Sequence, residues 1–170
     1  MLNDDDIKTQ AEVNSLISPF DLDQLQPHSY DAKLGSDFKL AHYLPCGGQD
    51  ARKWVGRSLG EYELKKHEFA LGTTIEYFKL PQDIVGFVQG KSTVGRNGLQ
   101  IECAGLIDAG FEGTITLELF NMAPWPIKLV YGQKICQIHF AFVDSPVHKD
   151  YTKIGSYNGQ TGATEPKYNI

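Results

Sequence analysis

The sequence predicts an all-β domain, a sandwich or barrel of many short strands, preceded by one short helix. Between residues 36 and 143, runs of β-branched and aromatic residues alternate with Gly, Pro and Asn, a pattern typical of antiparallel strands joined by turns. A helical pattern is confined to the first residues. With 170 residues, of which 41% are hydrophobic and 22% charged, the chain has the size of one domain with its own core.

The predicted helix covers residues 3–17. Asn3 or Asp4 can cap it, and acidic residues fill its first turn, where they favour the positive end of the helix dipole. Apolar residues recur at rough helical spacing as far as Leu16. Pro19 is expected to end the helix, because proline cannot continue the backbone hydrogen-bond pattern.

Eight strands are predicted after this helix, each bounded by turn-forming residues. Residues 26–35 are expected to be a loop that enters the first strand, and residues 44–60, with two adjacent glycines, an irregular surface insertion. The predicted strands lie near 37–43, 61–64, 69–79, 84–90, 98–103, 113–121, 126–130 and 134–143.

The chain is expected to divide into a β domain, residues 1–144, and a flexible tail, residues 145–170. The tail is rich in Gly and Pro and has too few apolar residues to pack a core alone. Tyr151 and Gln160 suggest that it orders over the active site, against a ligand or a neighbouring subunit. A disordered end is the alternative.

Composition excludes several functional classes. The net charge of -5 argues against a general nucleic-acid binder. No apolar run approaches membrane-spanning length, and the acidic N-terminus does not resemble a signal peptide. The cysteines, Cys46, Cys103 and Cys136, form no CxxC pair. This fits a reducing, cytoplasmic location better than disulfides or a zinc site.

A small polar loop opens the most informative stretch, residues 90–121. Its backbone amides, two hydroxyls and two cations suit a polyphosphate. The preceding residues do not form a Walker A loop, because three residues separate Gly86 from Gly90 where that motif has four, and Gly95 and Gly98 are expected to interrupt a following helix. The loop residues are Lys91, Ser92, Thr93, Val94, Gly95 and Arg96.

The strand predicted near 113–121 carries a carboxylate among apolar residues. Because strand side chains alternate, Ile115 and Leu117 point to one face, and Thr116 and Glu118 point to the other. A carboxylate in this position either faces water as an ordinary polar residue or takes part in chemistry.

Five ordered blocks of the chain resemble the dCTP deaminase family, relatives of the trimeric dUTPases. The blocks include a loop similar to [RK]-S-S-x-[AG]-R-x-G-L, a segment similar to A-G-x-I-D-x-G-[FW]-x-G-x-I-x-L-E and a tail similar to Y-x-G-Q-x-G. They cover residues 25–35, 91–99, 104–118, 132–137 and 157–162.

The resemblance implies a distorted β jelly roll, a homotrimer with active sites between subunits, and Mg²⁺ held through the triphosphate of dCTP or dUTP. It implies dTTP as a candidate inhibitor. Glu118 would be the proton shuttle, with Ser92 and Arg96 as partners, and Asp108 would hold the sugar. The implied nucleotide contacts are Lys91, Ser92, Thr93, Val94, Gly95, Arg96, Asp108, Thr116, Leu117, Glu118, Gln137, Tyr151 and Gln160.

Deamination at C4 of cytosine needs an attacking water, a base for its proton, and an acid for N3 and the leaving amine. One mobile carboxylate can serve all three purposes. Zinc-dependent deaminases carry H-x-E and P-C-x-x-C sequences, whereas here His67 is followed directly by Glu68. The expected reaction therefore uses no zinc.

Ala104 and Gly105 indicate which product is released. Simple deaminases of the family resemble T-A-H-R-I-D at this turn, and the bifunctional dUMP-forming members resemble T-A-G-[FW]-I-D. The chain has Cys-Ala-Gly-Leu-Ile-Asp, ending at Asp108, and falls in the glycine group, which favours dUMP and pyrophosphate as products. Release of dUTP, a dUTPase-only enzyme and a non-catalytic nucleotide sensor remain alternatives, and Gly105 could serve only the turn.

Overall fold

The computed structural model describes residues 1–43, 52–102, 105–145, 147–149 and 151–167, and strands dominate these residues. Three α-helices are present in this part of the chain: α1 (Asp4–Asn14), α2 (Ser92–Arg96) and α3 (Tyr151–Ile154). The strands are β1 (Ile17–Ser18), β2 (Leu25–Gln26), β3 (Ser29–Lys33), β4 (Asp37–Tyr43), β5 (Arg52–Ser58), β6 (Glu61–Leu64), β7 (Phe69–Lys79), β8 (Ile84–Gly90), β9 (Leu99–Glu102), β10 (Leu106–Ile107), β11 (Glu112–Asn121), β12 (Ile127–Val130) and β13 (Lys134–Phe142).

Two main antiparallel sheets enclose the core. The larger has the order β5-β4-β7-β11-β9, with β1 also paired to β7, and the smaller has the order β10-β8-β13-β3-β2. A third ladder joins β12 to β6. The sheets do not close on themselves within the described residues. Two antiparallel sheets around one core, preceded by a short helix, confirm the predicted all-β fold class.

The core lies between the inward faces of the two sheets. Leu117 and Leu119 of β11 are fully buried there with Phe78 of β7 and Phe140 of β13. Along β11, buried and half-buried residues alternate without a break. This alternation confirms the predicted division of the strand into a core face and a polar face.

Helix α1 begins as predicted and ends earlier than predicted. The Asn3 side chain accepts a hydrogen bond from the Asp6 amide, and Asp6 caps the Asn3 amide in return. Ser15, at φ 56°, takes the left-handed conformation that ends the helix. Leu16 lies beyond the end of the helix and is buried in the core. Pro19 is not needed to end the helix, because the helix has already ended at Ser15. No helix of the described residues is long and apolar enough to cross a membrane.

Two segments that were expected to be irregular form strands. Residues 44–51 of the predicted insertion lie outside the described residues, but Arg52–Ser58 pairs with β4 along its whole length. Ser29–Lys33, expected to be a loop, lies between β2 and β13 and buries Tyr30 and Ala32. In both cases pairing with a neighbouring strand outweighs a weak local preference.

The segment after β8 was predicted to be a polar loop, and this prediction was wrong in part. Ser92–Arg96 forms the single-turn helix α2, although Gly95 was expected to prevent one. Val94 packs against the core, and the Gly95 amide bonds to the Lys91 carbonyl. The segment remains too short for the helix that follows a Walker A loop, so the rejection of that motif does not change.

Candidate active site

A cavity of about 300 Å³ opens beside the polar face of β11. Thr116 and Glu118 line it, two residues apart on the same face of the strand. Leu71, directly opposite Glu118 on β7, is the apolar residue below them. The volume is at the lower end of the range for small-molecule sites. The lining residues are Leu71, Leu106, Ile107, Asp108, Phe111, Ile115, Thr116, Glu118, Tyr151, Tyr157, Gln160, Thr164 and Pro166.

Asp108 and Tyr151 form the side of this cavity that faces the loop after β10. Asp108 is exposed, and the Tyr151 ring packs against Phe111 with 6.3 Å between ring centroids. Burial raises the pKa of Tyr151, and the negative charge of Asp108 raises this pKa further. Tyr151 therefore keeps its proton at neutral pH and is a hydrogen-bond donor.

The tail of the same chain closes another side of the cavity. Gln160 pairs with Gly113 of β11, its amide nitrogen donates to the Thr114 carbonyl (2.9 Å), and Thr114 N donates to the Gln160 carbonyl (3.0 Å). Gln160 Oε1 is buried without a hydrogen-bond partner among the described residues. Such an acceptor costs free energy until a donor reaches it, which suits a ligand that carries an amino or imino group.

The backbone of the tail also bonds to Thr116, one of the predicted nucleotide contacts. Thr164 N donates to Thr116 Oγ1 at 3.1 Å. Because the hydroxyl oxygen accepts this bond, the Thr116 O–H remains available to donate elsewhere. Thr116 can therefore hold the tail and a ligand at the same time.

A second cavity, of about 600 Å³, adjoins the first. The two share Leu106, Asp108, Tyr151 and Tyr157, so Asp108 has access to both. Lys149 supplies a cation to the second cavity. A ligand long enough to reach both cavities could therefore place an anionic group near Lys149.

The Lys91–Arg96 segment lies outside both cavities of its own chain. Ser92, Thr93, Gly95 and Arg96 are exposed on α2. Hydroxyls, a glycine backbone and a guanidinium are thus presented to solvent, on a surface that another molecule can reach.

Lys91 has a different environment from the rest of this segment. Its Nζ lies 2.6 Å from Oδ1 of Asp31, which is only 2% exposed, and Lys134 Nζ lies 3.8 Å from the other oxygen of the same carboxylate. The predicted phosphate-binding side chain is therefore part of a nearly buried ion pair.

Gln137 and Leu117 are also separate from the cavities. Gln137 lies on β13 opposite Asp31 and Gln89, and its amide nitrogen is 3.3 Å from His139 Nε2. The Leu117 side chain is fully buried in the core, so of this residue only the backbone could contact a nucleotide. The structure thus brings together Asp108, Thr116, Glu118, Tyr151 and Gln160, and it leaves Gln137 and residues 91–96 apart.

Of the two residues expected to select the product, Ala104 lies outside the described residues. Gly105 is exposed at φ +81°, and a Cβ there would meet open space. The positive φ alone accounts for a glycine at this turn.

Comparison with known proteins shows which family this chain belongs to. The model of the dCTP deaminase-like family matches residues 1–143. The chain belongs to this family. A relative from Persephonella marina, named "dCTP deaminase, dUMP-forming", is 40% identical over 172 residues, which cover 96% of this chain and 94% of the relative. One of the same name from Sulfurihydrogenibium sp. is 42% identical over 173 residues, with the same shares of the two chains.

A solved structure supports the fold. The crystal structure of 2'-deoxycytidine 5'-triphosphate deaminase from Agrobacterium tumefaciens matches with a TM-score of 0.68 and 22% sequence identity. The match covers 91% of this chain and 53% of that one, so the chain spans about half the length of that protein. The fold is therefore that of the dCTP deaminase-like family.

Sequence reasoning did not select eight of the residues that line this dCTP deaminase-like site: Leu71, Leu106, Ile107, Phe111, Ile115, Tyr157, Thr164 and Pro166. Tyr157 stands in the tail motif and could have been selected as a contact. Thr164 and Pro166 carry no motif, and they reach the cavity only because the tail crosses β11. Within the described residues, no group of three His, Cys, Asp or Glu side chains could hold a metal ion.

Proposed function

We propose that this chain converts dCTP and water to dUMP, ammonia and pyrophosphate. The observation that carries the proposal is the shared cavity, in which Glu118 and Thr116 lie with Asp108, Tyr151 and Gln160. Family membership and the names of the relatives support the choice of substrate and product.

In the first step, Glu118 takes a proton from a water that attacks C4 of cytosine, where a new C–O bond forms. The carboxylic acid then gives this proton to N3. The carboxylate next takes the remaining proton from the new C4 hydroxyl and passes it to the amine, and the C4–N bond breaks to release ammonia. The Thr116 hydroxyl can donate to the ring from the same strand face, and the unpartnered Gln160 Oε1 can accept from a ring N–H or amino group.

In the second step, water attacks the α-phosphorus, and the bond between this phosphorus and the bridging oxygen breaks to release pyrophosphate. Asp108 has access to both cavities and can hold the sugar and orient this water. Mg²⁺ would neutralise charge on the triphosphate when bound. The exposed Asp108 carboxylate fits the small protein contribution that such nucleotide-bound Mg²⁺ requires.

We extend the proposal to a homotrimer with shared sites. The predicted phosphate contacts, Ser92 and Arg96, lie outside the cavities of their own chain, and a neighbouring copy could supply them. Phe87 and Leu106, paired across β8 and β10, are 38% and 48% exposed and offer apolar surface for such a contact. We also expect dTTP to inhibit, because it shares the deoxyribose and triphosphate of the substrate.

The variant Glu118→Gln tests the first step. Gln keeps the shape of the side chain but cannot accept the proton, so ammonia release from dCTP should fall by roughly 1,000-fold or more while nucleotide binding persists. Ammonia is followed by a coupled assay, and binding by calorimetry with dCTP. Deamination at the wild-type rate would exclude Glu118 as the shuttle.

Release of dUTP is the second candidate. The positive φ of Gly105 explains this glycine without any role in phosphate cleavage. Chromatography of the nucleotide products separates the two proposals, since one predicts dUMP and the other dUTP.

A further inference from the structure

The tail beyond Gln160 crosses the larger sheet by alternating contacts with two strands. Gly162 N donates to Thr114 Oγ1 (2.9 Å) on β11, and Thr164 N donates to Thr116 Oγ1 (3.1 Å) on the same strand. These two bonds fix every second residue of the tail to β11.

The residues between them contact β4. Ala163 N donates to Asp37 Oδ2 at 2.8 Å, and Glu165 forms an ion pair with Lys39 at 3.3 Å. Because β7 lies between β4 and β11 in the sheet, residues 162–165 span from one neighbour of β7 to the other. Successive residues of the tail therefore contact β11 and β4 in turn.

Asp37 makes the closest of the contacts on the β4 side. A Cβ on Gly162 would overlap Asp37 Oδ2, and Gly162 has φ +73°, so the backbone approaches this carboxylate as only glycine allows. Ala163, next in the chain, is 4% exposed. The exposed Lys39–Glu165 pair, with side chains 27% and 47% exposed, contributes less.

These contacts determine which residues close the cavity at its Glu118 end. Lys39 on β4 and Glu118 on β11 both lie opposite Leu71 of β7, and Leu71 lines the cavity. Thr164 and Pro166 line the same cavity from the tail. The tail reaches this row of residues by way of its bond to Asp37.

We propose that Asp37 is a positioning residue: by accepting the Ala163 amide, it docks residues 162–166 over β7 and places Thr164 and Pro166 as the wall of the pocket that receives the pyrimidine ring. The identity of the ring rests on the proposed function. The docking itself does not, because it is a contact between residues of this chain.

Hydrogen exchange of the substrate-free protein, followed by mass spectrometry, tests the docking. In Asp37→Leu, exchange of the Gly162–Thr164 amides should be roughly tenfold faster than in wild type, the effect expected from the loss of one hydrogen bond to a charged acceptor. Asp37→Asn keeps an oxygen acceptor and should stay within about twofold of wild type. Asp83→Leu, at an exposed aspartate before β8, is the matched control. Equal exchange in wild type and Asp37→Leu would overturn the proposal.

Gly162→Ala tests the same contact from the tail side, without altering a strand. It should speed exchange at least as much as Asp37→Leu, because a side chain at φ +73° adds backbone strain to the loss of the contact. The double variant should exchange more slowly than the product of the two single effects, because both changes remove the same interaction. Strictly additive effects would contradict the proposed contact.

Kinetics on dCTP test the consequence for the pocket. Asp37→Leu should lower kcat/KM by roughly tenfold, and Asp37→Asn should restore it to within about twofold of wild type. If Asp37→Leu speeds exchange of the tail amides but leaves kcat/KM unchanged, the proposed role of Asp37 in the pocket is wrong. Wild-type protein that releases no ammonia from dCTP would refute the proposed function and leave the exchange result intact, so the two failures are distinguishable.

Discussion

Replacing Lys91 by methionine removes one partner of the ion pair with Asp31. The Asp31 side chain is 3% exposed, so its carboxylate would remain desolvated without its nearest cation, 2.6 Å away. Loss of one partner of a fully buried pair costs about 3–5 kcal/mol. The Lys91 side chain is 23% exposed and Lys134 remains at 3.8 Å, so we expect the free energy of unfolding to fall by about 2 kcal/mol.

Urea unfolding at one fixed protein concentration measures this loss. For a domain of this size, about 2 kcal/mol corresponds to a fall in Tm of roughly 4–8 °C. Lys128→Met is the matched control, because Lys128 lies at the same 2.6 Å from Glu61 while both side chains are more than half exposed. This control should lose less than about 0.5 kcal/mol.

The reasoning would be refuted if Lys91→Met and Lys128→Met lost equal stability. A second comparison concerns binding: Arg96 is exposed on α2, so Arg96→Met should raise KM for dCTP and leave the urea midpoint unchanged. The two variants together separate a structural cation from one that is available for phosphate.

Three further predictions concern pH, product and tail. Burial raises the pKa of Glu76 above its ordinary value, so the folded state binds this proton more tightly than the unfolded state does. The resulting stabilisation is present below the ordinary pKa and is lost as pH rises through the raised pKa. Relative to Glu76→Gln, wild type should therefore be less stable to urea at about pH 8 than at about pH 4, and a constant difference would contradict this. Gly105→His should slow pyrophosphate release more than ammonia release, with both products measured on the same quenched samples. Gly105→Asn is the control, because asparagine tolerates a positive φ. Equal slowing of both products would mean that Gly105 is needed only for the turn. Truncation before Tyr151 should lower turnover by roughly tenfold or more while circular dichroism keeps its β-sheet spectrum, and full turnover by the truncated protein would exclude a catalytic role for the tail.

All eight strands predicted from the sequence are present, and their bounds agree with the structure to within one residue. In β8, in β11 and in the second half of β7, residues that face the core and residues that face away from it follow each other at period two. Arg52–Ser58 was missed because its charged residues and Gly56 weaken the local β signal, and pairing with β4 determines its conformation.

The candidate site was predictable to the extent that its residues lie in motifs. Asp108, Thr116 and Glu118 were selected from one continuous stretch, and the structure places them around one cavity. The Lys91–Asp31 ion pair joins residues that are 60 positions apart, so no local sequence pattern could predict it. The contact between Asp37 and Ala163, 126 positions apart, was beyond prediction for the same reason.

Timed product analysis of a reaction of the purified wild-type protein with dCTP and Mg²⁺ tests the central claim most directly. Samples are quenched at intervals, ammonia and pyrophosphate are quantified, and dUTP and dUMP are separated by chromatography. The proposed function predicts ammonia, pyrophosphate and dUMP in equal amounts, with little free dUTP at any time. Accumulation of dUTP in step with ammonia, without pyrophosphate, would contradict it.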